Sequence, residues 1–281
     1  MKTLYVTDLD GTLLNSNAQI SEYSINTINK LVEQGMLFTY ATARSLVSAS
    51  VVTKGLSAHI PVIVYNGARV IRPENGEILC SVNFTKDQIE KVVCCLRGEN
   101  VFPLVYSDID GCEKVSWAVN HENAGIRNYL NHRKGDKRLH PLLKEEDLYN
   151  GEIFYFTCIG TKEEMQPIYD CFKTDNNYTC TLQQEIYRDE YWCEIMPRRA
   201  TKAMAIAELK KLWKCDRVVS FGDAVNDIPM FQVSDESYAV ANAVEELKAI
   251  ATGVIESNNN DGVARWLKQY AASALKGIDL L

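Results

Sequence analysis

The sequence has little positive charge and no long apolar run, and each shortage excludes a class of protein. Lys and Arg total 30 against 37 Asp and Glu, which gives the 281-residue chain a formal net charge of −7 at pH 7. Because phosphate backbones select basic surfaces, a nucleic-acid partner is not expected. No apolar run reaches the roughly 18 residues of a membrane span, and the N-terminal apolar run is too short for a signal peptide. We therefore expect a cytoplasmic protein with no membrane partner, and nothing in the sequence indicates an obligate protein partner.

Paired cysteine spacing is also absent. The nine cysteines are odd in number, and no two of them form a C-x-x-C pair. We therefore expect reduced, buried thiols and neither a zinc site nor a disulfide framework. The apolar content of 46% is enough for a packed core, and 281 residues allow one large domain or two modest ones.

Strand-like and helical patterns alternate at the start of the chain. Residues 3–7 form a short β-rich run, and a helix is predicted from Ser21, its N-cap, to Gly35, its stop. Two further strands are predicted at 36–42 and 61–67. Alternating strands and helices predict a parallel sheet with right-handed crossovers.

The pattern changes near residue 83 and changes back after Pro197. The segment between them is predicted to form an α+β unit, with helices at 85–98 and 165–173. Strands are predicted at 102–106, 152–159, 178–183 and 191–196, the last two as an antiparallel hairpin. The polar stretch 120–147 is predicted to be exposed helix and loop. The alternation of helices and strands that is typical of a parallel sheet then returns, with helices at 201–213 and 243–251 and strands at 217–221 and 253–257. The predicted fold class is α/β, with a middle domain inserted into a parallel core.

The strongest chemical signal is DLDGTLL at 8–14, directly after the first predicted strand. Parallel sheets place ligand chemistry at the carboxyl ends of their strands. Asp8 and Asp10 can face one pocket, Gly11 permits a sharp turn, and Thr12 supplies a hydroxyl. Carboxylates attract Mg²⁺, and a metal that neutralises phosphate charge lets an aspartate attack phosphorus. The alternative is a solvated acidic turn, since D-x-D alone is common.

A second acidic segment, GDAVND at 222–227, also follows a predicted strand. Asp223 and Asp227 are four residues apart, so one helical turn can bring both to the same point, and Asn226 can orient an oxygen. Taken alone, this segment is equally well explained by acidic capping of a helix.

Two weaker signals lie at other predicted strand ends or helix starts. Thr42, in ATAR at 41–44, offers a hydroxyl and backbone N–H groups that can cradle a phosphate, although a Thr there is usually a cap. Lys202 lies near the start of a predicted helix, where a lone lysine is normally solvated.

In this chain order the segments resemble the haloacid dehalogenase-like superfamily, and within it the Cof-type sugar-phosphatase-like branch with a large inserted α/β cap. The resemblance covers nearly the whole chain. Its four motifs match Asp8 to Thr12, then Thr42, then Lys202, and finally Gly222-Asp223 through Asn226-Asp227. Lesser matches are Asn66-Gly67, Asn242-Ala243 and NDGVA at 260–264. The resemblance implies a Rossmann-like core from residues 1–82 and 191–281, with an inserted α+β cap over 83–190.

Four positions depart from the usual pattern of this branch, because Ala43, Arg199, Ala203 and Ala241 stand where Gly is usual. None of the departures removes a reacting group. They bear on how closely the backbone approaches phosphate, and therefore on rate and substrate fit.

The resemblance implies a Mg²⁺-dependent phosphatase of a small phosphorylated metabolite, with a sugar phosphate as the expected substrate. Asp8 would be the nucleophile and a magnesium ligand. Asp10 would protonate the leaving oxygen, then activate water, and lend its backbone carbonyl to the metal. Asp223 would complete the metal site, with Asp227 behind it holding a metal-bound water.

The remaining motif residues are implied to bind phosphate. Thr42 and Lys202 would offset the charge of the transferring phosphoryl group. Arg44, Asn66 and Asn226 are candidates for further contacts around the phosphate or at the domain junction. The inserted domain is expected to recognise the leaving group, and Tyr187, Arg188, Tyr191 and Trp192 offer suitable side chains unless they are simply hairpin core.

Three other functions stay open at this point. A phosphomutase or phosphotransferase would share the core and the aspartyl-phosphate. A two-metal phosphoesterase would enlist His, but His59, His121, His132 and His140 lie outside every motif. A degenerate member that only binds a phosphorylated ligand, as a regulator, is disfavoured because every motif aspartate and the lysine are present.

Overall fold

The computed structural model describes residues 2–57, 59, 61–184 and 189–271. They form two compact units, one from the described residues of 1–81 and 201–281 and one from 82–200. Tyr187 and Arg188, suggested above as ligand contacts, lie outside the described residues. Within the described ranges, no helix is long and apolar enough to cross a membrane.

The regular elements of the described residues are fourteen strands and nine helices. The strands are β1 Thr3–Thr7, β2 Leu37–Tyr40, β3 Val62–Val64, β4 Arg69–Arg72, β5 Glu77–Ser81, β6 Leu104–Ile109, β7 Cys112–Ala118, β8 Leu139–Leu142, β9 Glu152–Gly160, β10 Tyr178–Gln184, β11 Tyr191–Pro197, β12 Arg217–Gly222, β13 Glu236–Val240 and β14 Gly253–Ile255. The helices are α1 Glu22–Glu33, α2 Leu46–Val52, α3 Lys86–Gly98, α4 Ala124–Asn131, α5 Lys162–Phe172, α6 Lys202–Trp213, α7 Ile228–Gln232, α8 Glu245–Lys248 and α9 Gly262–Trp266.

The first unit is built on a five-stranded parallel sheet in the order β14-β13-β12-β1-β2. This confirms the predicted parallel α/β core. Strand β1 lies between β12 and β2 and is almost entirely buried, as its apolar run TLYVT requires. Helix α1 begins where predicted, because the Ser21 side chain accepts a hydrogen bond from the backbone N–H of Ser24.

Strand β3 belongs to a second, antiparallel sheet with β4 and β5, which corrects the prediction of a full parallel strand at 61–67. One isolated parallel bridge, Ala41 to Ile63, joins it to the end of β2. The strand ends at Val64 because Tyr65 and Asn66 have positive φ angles of 52° and 53°. The turn continues through Gly67, where a side chain would overlap the backbone of Thr201, so this glycine seats the start of α6.

The second unit contains a six-stranded sheet in the order β10-β11-β9-β6-β7-β8. All its pairs are antiparallel except β7 with β8, and the predicted hairpin is confirmed by the pairing of β10 with β11. Helices α3 and α5 bury apolar side chains against the sheet, among them Val92, Leu96, Ile168 and Phe172. Each of these helices starts with a capping box, as its sequence favours.

Two predictions from the sequence differ from the structure of this unit. The domain bounds implied by the family resemblance place residues 191–197 in the core, but this strand hydrogen-bonds to β9 and β10, as the predicted hairpin requires, and belongs to the second unit. The polar stretch 120–147, predicted to be helix and loop only, also contains β8. That strand pairs on one side alone, which is why its polar sequence with Pro141 is tolerated.

Candidate active site

The carboxyl ends of three neighbouring strands carry the predicted chemistry. Asp8 follows β1, Thr42 follows β2, and Asp223 follows β12. The N–H of Asp8 still donates to the carbonyl of Phe221 at 2.9 Å, so the ladder between β1 and β12 fixes the residue that follows it. Because the strands are parallel and adjacent, these residues meet at one edge of the sheet.

Asp8 and Lys202 form a buried ion pair. Nζ of Lys202 donates to Oδ1 of Asp8 at 2.5 Å and to Oδ1 of Asp227 at 2.7 Å, and both Lys202 and Asp227 are buried. The lysine is the first residue of α6, and the Thr201 side chain caps that helix by accepting from the N–H of Met204. Lys202 is therefore buried between two carboxylates, in contrast to the solvated surface charge that a lone lysine usually is.

Asp227 closes the second acidic turn. Its Oδ2 accepts hydrogen bonds from the N–H groups of Asp223 at 3.0 Å and Ala224 at 3.2 Å, while Oδ1 accepts from Lys202. Any side chain on Gly222 would lie within 2.7 Å of this carboxylate, so glycine is required there. Both oxygens of Asp227 already accept hydrogen bonds. Its carboxylate therefore holds Lys202 and the 223–224 backbone in place and is less available as a metal ligand.

Asp223 faces the turn over Leu9–Leu13 that carries the first motif. The hydroxyl of Thr12 donates to Oδ1 of Asp223 at 2.8 Å. A side chain on Gly11, which has φ +79°, would overlap the same carboxylate. The two acidic loops are thus fitted to each other. The sequence singled out Asp223 and the hydroxyl of Thr12, but not the hydrogen bond between them.

Electrostatics at the site favour a bound cation. Burial raises the pKa of Asp8 well above its usual value despite Lys202, and burial raises the pKa of Asp223 to about 6. The pKa of Lys202 is also raised, because Asp227 and Asp8 outweigh the opposing effect of its burial. One ammonium therefore faces three carboxylates, and oxygens of Asp8, Asp223 and Asp227 lie within 4.8 Å of one another. This set of hard oxygen donors fits a divalent cation such as Mg²⁺.

The side chain of Asp10 points to Arg44. Oδ2 accepts from Nε of Arg44 at 2.8 Å and Oδ1 accepts from Nη2 at 2.6 Å, a bidentate pair. The carboxylate is 53% exposed, in contrast to the buried Asp8. The first motif thus separates its two acids into one buried and one solvent-facing group.

The remaining predicted phosphate contacts, Thr42, Asn66 and Asn226, lie on turns of the first unit. Thr42 is buried, and its hydroxyl accepts from the N–H of Arg44 at 3.1 Å, so it does cap the turn. The N–H of Asn66 donates to the carbonyl of Thr42 at 2.9 Å, which joins this turn to the one after β3. Asn226 is half-buried on the short turn Val225–Asp227.

A parallel α/β sheet that gathers carboxylates around a buried lysine at its strand ends fits chemistry on phosphate esters, because the carboxylates can hold a cation and the lysine can offset phosphate charge. Comparison with known proteins gives the family. A family model of haloacid dehalogenase-like hydrolases matches residues 5–267, and the chain belongs to this family. Several relatives that match almost the whole chain are named phosphatases, and the protein is a phosphoric monoester hydrolase.

Two relatives come from Bacillus subtilis and are named 5-amino-6-(5-phospho-D-ribitylamino)uracil phosphatases. YwtE is 26% identical over 93% of this chain and 96% of its own length, and YitU is 27% identical over 95% and 97%. Among solved structures, TM0651 from Thermotoga maritima has a TM-score of 0.76 and 27% identity, covering 96% of this chain and 97% of that one. A haloacid dehalogenase-like hydrolase from Bacteroides thetaiotaomicron, at 22% identity and a TM-score of 0.77 over 96% and 99%, shares the fold.

Proposed function

We propose that this enzyme hydrolyses the phosphate ester of a small metabolite in a Mg²⁺-dependent reaction that passes through an aspartyl-phosphate on Asp8. The observation that carries the proposal is the buried contact of Asp8 with Lys202, next to Asp223 and Asp227. A carboxylate held there is oriented as a nucleophile, and the ammonium beside it can receive the negative charge of a phosphoryl group.

The proposed reaction consists of two successive displacements at phosphorus. First, an oxygen of Asp8 attacks phosphorus, the bond to the leaving oxygen breaks, and Asp10 gives that oxygen a proton. Then Asp10 takes a proton from water, the water oxygen attacks phosphorus, and the bond to Asp8 breaks to release inorganic phosphate. The exposed position of Asp10 suits this exchange of protons with a leaving group and with water. Thr42 and Lys202 would bind the phosphoryl oxygens throughout.

Mg²⁺ is the proposed metal because the available donors are carboxylate oxygens. Asp8, Asp223 and the backbone carbonyl of Asp10 would hold it, and Asp227 would orient them through its bonds to Lys202 and the 223–224 backbone. Bound there, the metal supplies positive charge that neutralises the phosphate and lowers the barrier to attack by an anion.

The proposed substrate class is a phosphorylated sugar or sugar-alcohol derivative. The family resemblance of the motifs favours sugar phosphates, and the two Bacillus subtilis relatives are named for a substrate with a phosphorylated ribityl chain. A cytoplasmic location, expected from the sequence, stays a prediction.

The proposal is tested by a panel of phosphorylated metabolites ranked by kcat/KM with Mg²⁺ and with EDTA. The panel should include hexose 6-phosphates, pentose 5-phosphates, ribitol 5-phosphate, 5-amino-6-(5-phospho-D-ribitylamino)uracil, nucleotides and phosphoserine. We expect release of inorganic phosphate, fastest from the sugar and polyol esters by at least about tenfold. Conversion of a sugar phosphate to its isomer without phosphate release would instead identify a phosphomutase. Asp8→Asn serves as the inactive control.

A further inference from the structure

The turn between β13 and α8 contacts both acid-bearing loops of the first unit. The side-chain amide of Asn242 donates from Nδ2 to the carbonyl of Gly11 at 2.8 Å. Two residues later, the N–H of Val244 donates to the carbonyl of Asp223 at 2.9 Å. One short segment, Ala241–Val244, therefore bonds the loop that follows β1 and the loop that follows β12.

The amide of Asn242 is itself held in place. Its Oδ1 accepts from the N–H of Asn258 at 3.0 Å, and Nδ2 of Asn258 donates to the carbonyl of Leu14 at 2.9 Å. A backbone N–H can only donate and a carbonyl can only accept, so the amide of Asn242 has one orientation that satisfies both neighbours. The two asparagines thus bracket the turn Leu9–Leu13, one at Gly11 and the other just after its end.

This turn needs an external restraint. It approaches Asp223 so closely that Gly11 has no room for a side chain, and carboxylate oxygens on the two loops lie within 4.8 Å of one another. Like charges at that distance repel, and Lys202 contacts Asp8 and Asp227 but is not bonded to Asp223. The neutral bonds of Asn242 and Val244 hold the loops together without adding a charge that would compete with a cation.

We propose that Asn242 is a positioning residue that holds the Gly11 peptide, and with it the Asp8-bearing turn, against the Asp223 loop before the metal binds. The proposal rests on the proposed function for its metal. Its physical effect is preorganisation: the carboxylates and the Asp10 carbonyl are already gathered, so less binding energy is spent on bringing them together. Asn258 assists by fixing the orientation of the Asn242 amide.

The chain offers a matched control for this bond. Nδ2 of Asn29 donates to the carbonyl of Gly55 at 2.8 Å, and its Oδ1 accepts from the N–H of Ser57 at 2.7 Å. Asn29 therefore makes the same two bonds to backbone groups in the same unit, but joins α1 to the loop after α2. Loss of either asparagine removes one donor and one acceptor, and only Asn242 touches the acid-bearing loops.

The experiment compares Asn242→Ala with Asn29→Ala by two measurements that do not depend on turnover. Calorimetric titration of the substrate-free protein with Mg²⁺ should give a Kd raised about three- to tenfold in Asn242→Ala and unchanged in Asn29→Ala. Hydrogen exchange of the metal-free protein in EDTA should be faster over residues 9–14 in Asn242→Ala only. Asn242→Asp, which keeps the acceptor but loses the donor, should match Asn242→Ala in the exchange measurement.

Each outcome decides one question. Unchanged exchange over residues 9–14 in Asn242→Ala, or equal changes in both alanine variants, would overturn the positioning role. Slow, wild-type exchange in Asn242→Asp would show that the bond to Gly11 is not the one that matters. Failure of the wild-type protein to bind Mg²⁺ would count against the proposed function, and the exchange data alone would then decide whether Asn242 positions the turn.

Discussion

Lys202 and Asp8 make a 2.5 Å contact inside the first unit although 194 positions of sequence separate them. The pair is not isolated, because the same ammonium also contacts Asp227. Removal of the lysine would leave two buried carboxylates without their shared cation, and a broken buried ion pair is costly.

We therefore expect Lys202→Met to lower both activity and stability. The methionine keeps the apolar stem but loses the charge, so kcat/KM should fall at least about 100-fold and the metal-free protein should lose about 3–5 kcal/mol of unfolding free energy. Thermal melts with and without Mg²⁺ measure the second effect. Lys210→Met is the control, since Lys210 lies on the same helix and makes only a 3.6 Å contact with Asp235. Similar melts and turnover for the two variants would contradict the assignment.

Asp8→Asn should abolish turnover and leave the fold intact. The substitution keeps the shape but removes the attacking charge, and Lys202 keeps its hydrogen bond to Asp227, so its charge stays paired. Wild-type protein should bind beryllium fluoride at Asp8, detected by ¹⁹F NMR, and the variant should not. A residual kcat above about one tenth of wild type would rule out covalent catalysis at this residue.

Mg²⁺ binding should weaken as pH falls through about 6. Burial raises the pKa of Asp223 to about 6, and this carboxylate must lose its proton before it can ligate a cation. The apparent Kd should rise at least about tenfold per pH unit below that value, since burial also raises the pKa of Asp8, the other proposed carboxylate ligand, and calorimetric titration between pH 4.5 and 7.5 would measure the rise. Asp223→Asn should bind Mg²⁺ weakly at every pH, and an affinity independent of pH in the wild type would exclude Asp223 as a ligand.

Arg44→Lys should slow the reaction without changing metal affinity. Lysine keeps the charge but cannot form the two parallel bonds that Arg44 makes to Asp10, so the proton donor would be less well oriented. We expect kcat to fall about tenfold with an unchanged Kd for Mg²⁺. Arg72→Lys, at the exposed pair with Glu77, is the matched control and should have no effect. Full activity in Arg44→Lys would show that this pair has no part in the reaction.

Glu194→Gln should stabilise the protein at pH 8 but not at pH 5. Burial raises the pKa of Glu194, in β11, from 4.5 to about 7, despite hydrogen bonds from Tyr155 and Thr181. A raised carboxyl pKa means that the folded state holds the proton, so stability is lost as pH rises from about 4.5 through 7. The gain in unfolding free energy at pH 8 should stay below about 3 kcal/mol, because the half-buried side chain is partly screened by solvent. Glu90→Gln, on the exposed face of α3, should show no such difference between the two melts.

Local patterns predicted the elements that depend least on distant partners. The strand at Thr3–Thr7 and the helix at Glu22–Glu33 have a continuous apolar run and a capped amphipathic repeat, and both lie where expected. Strands β4, β5, β7, β8 and β13 were missed, since each is mixed in polarity and is stabilised by hydrogen bonds to a neighbouring strand, which the local pattern does not show. The hairpin of β10 and β11 was predicted, but the domain boundary expected at residue 190 separated its two strands.

The site divides in a similar way. The motifs predicted that Asp8, Lys202, Asp223 and Asp227 lie together, and they do; their roles in the reaction stay predictions. The bonds between segments were not predicted: Arg44 to Asp10, Thr12 to Asp223 and Asn242 to Gly11 each join loops that meet only in the folded sheet. Spacing along the chain contains no information about those distances.

The position of β1 between β2 and β12 has a consequence for synthesis on the ribosome. Its partner at Arg217–Gly222 and the lysine that neutralises Asp8 emerge more than 190 residues later. At typical rates of translation this delay is roughly 10–40 s. For that time the nascent chain holds an apolar strand with one open edge and an acid without its cation, whereas the sheet of residues 82–200 is complete in sequence and can form first. Chaperone binding to nascent β1, and its release once α6 and β12 have emerged, is the behaviour this order of synthesis favours.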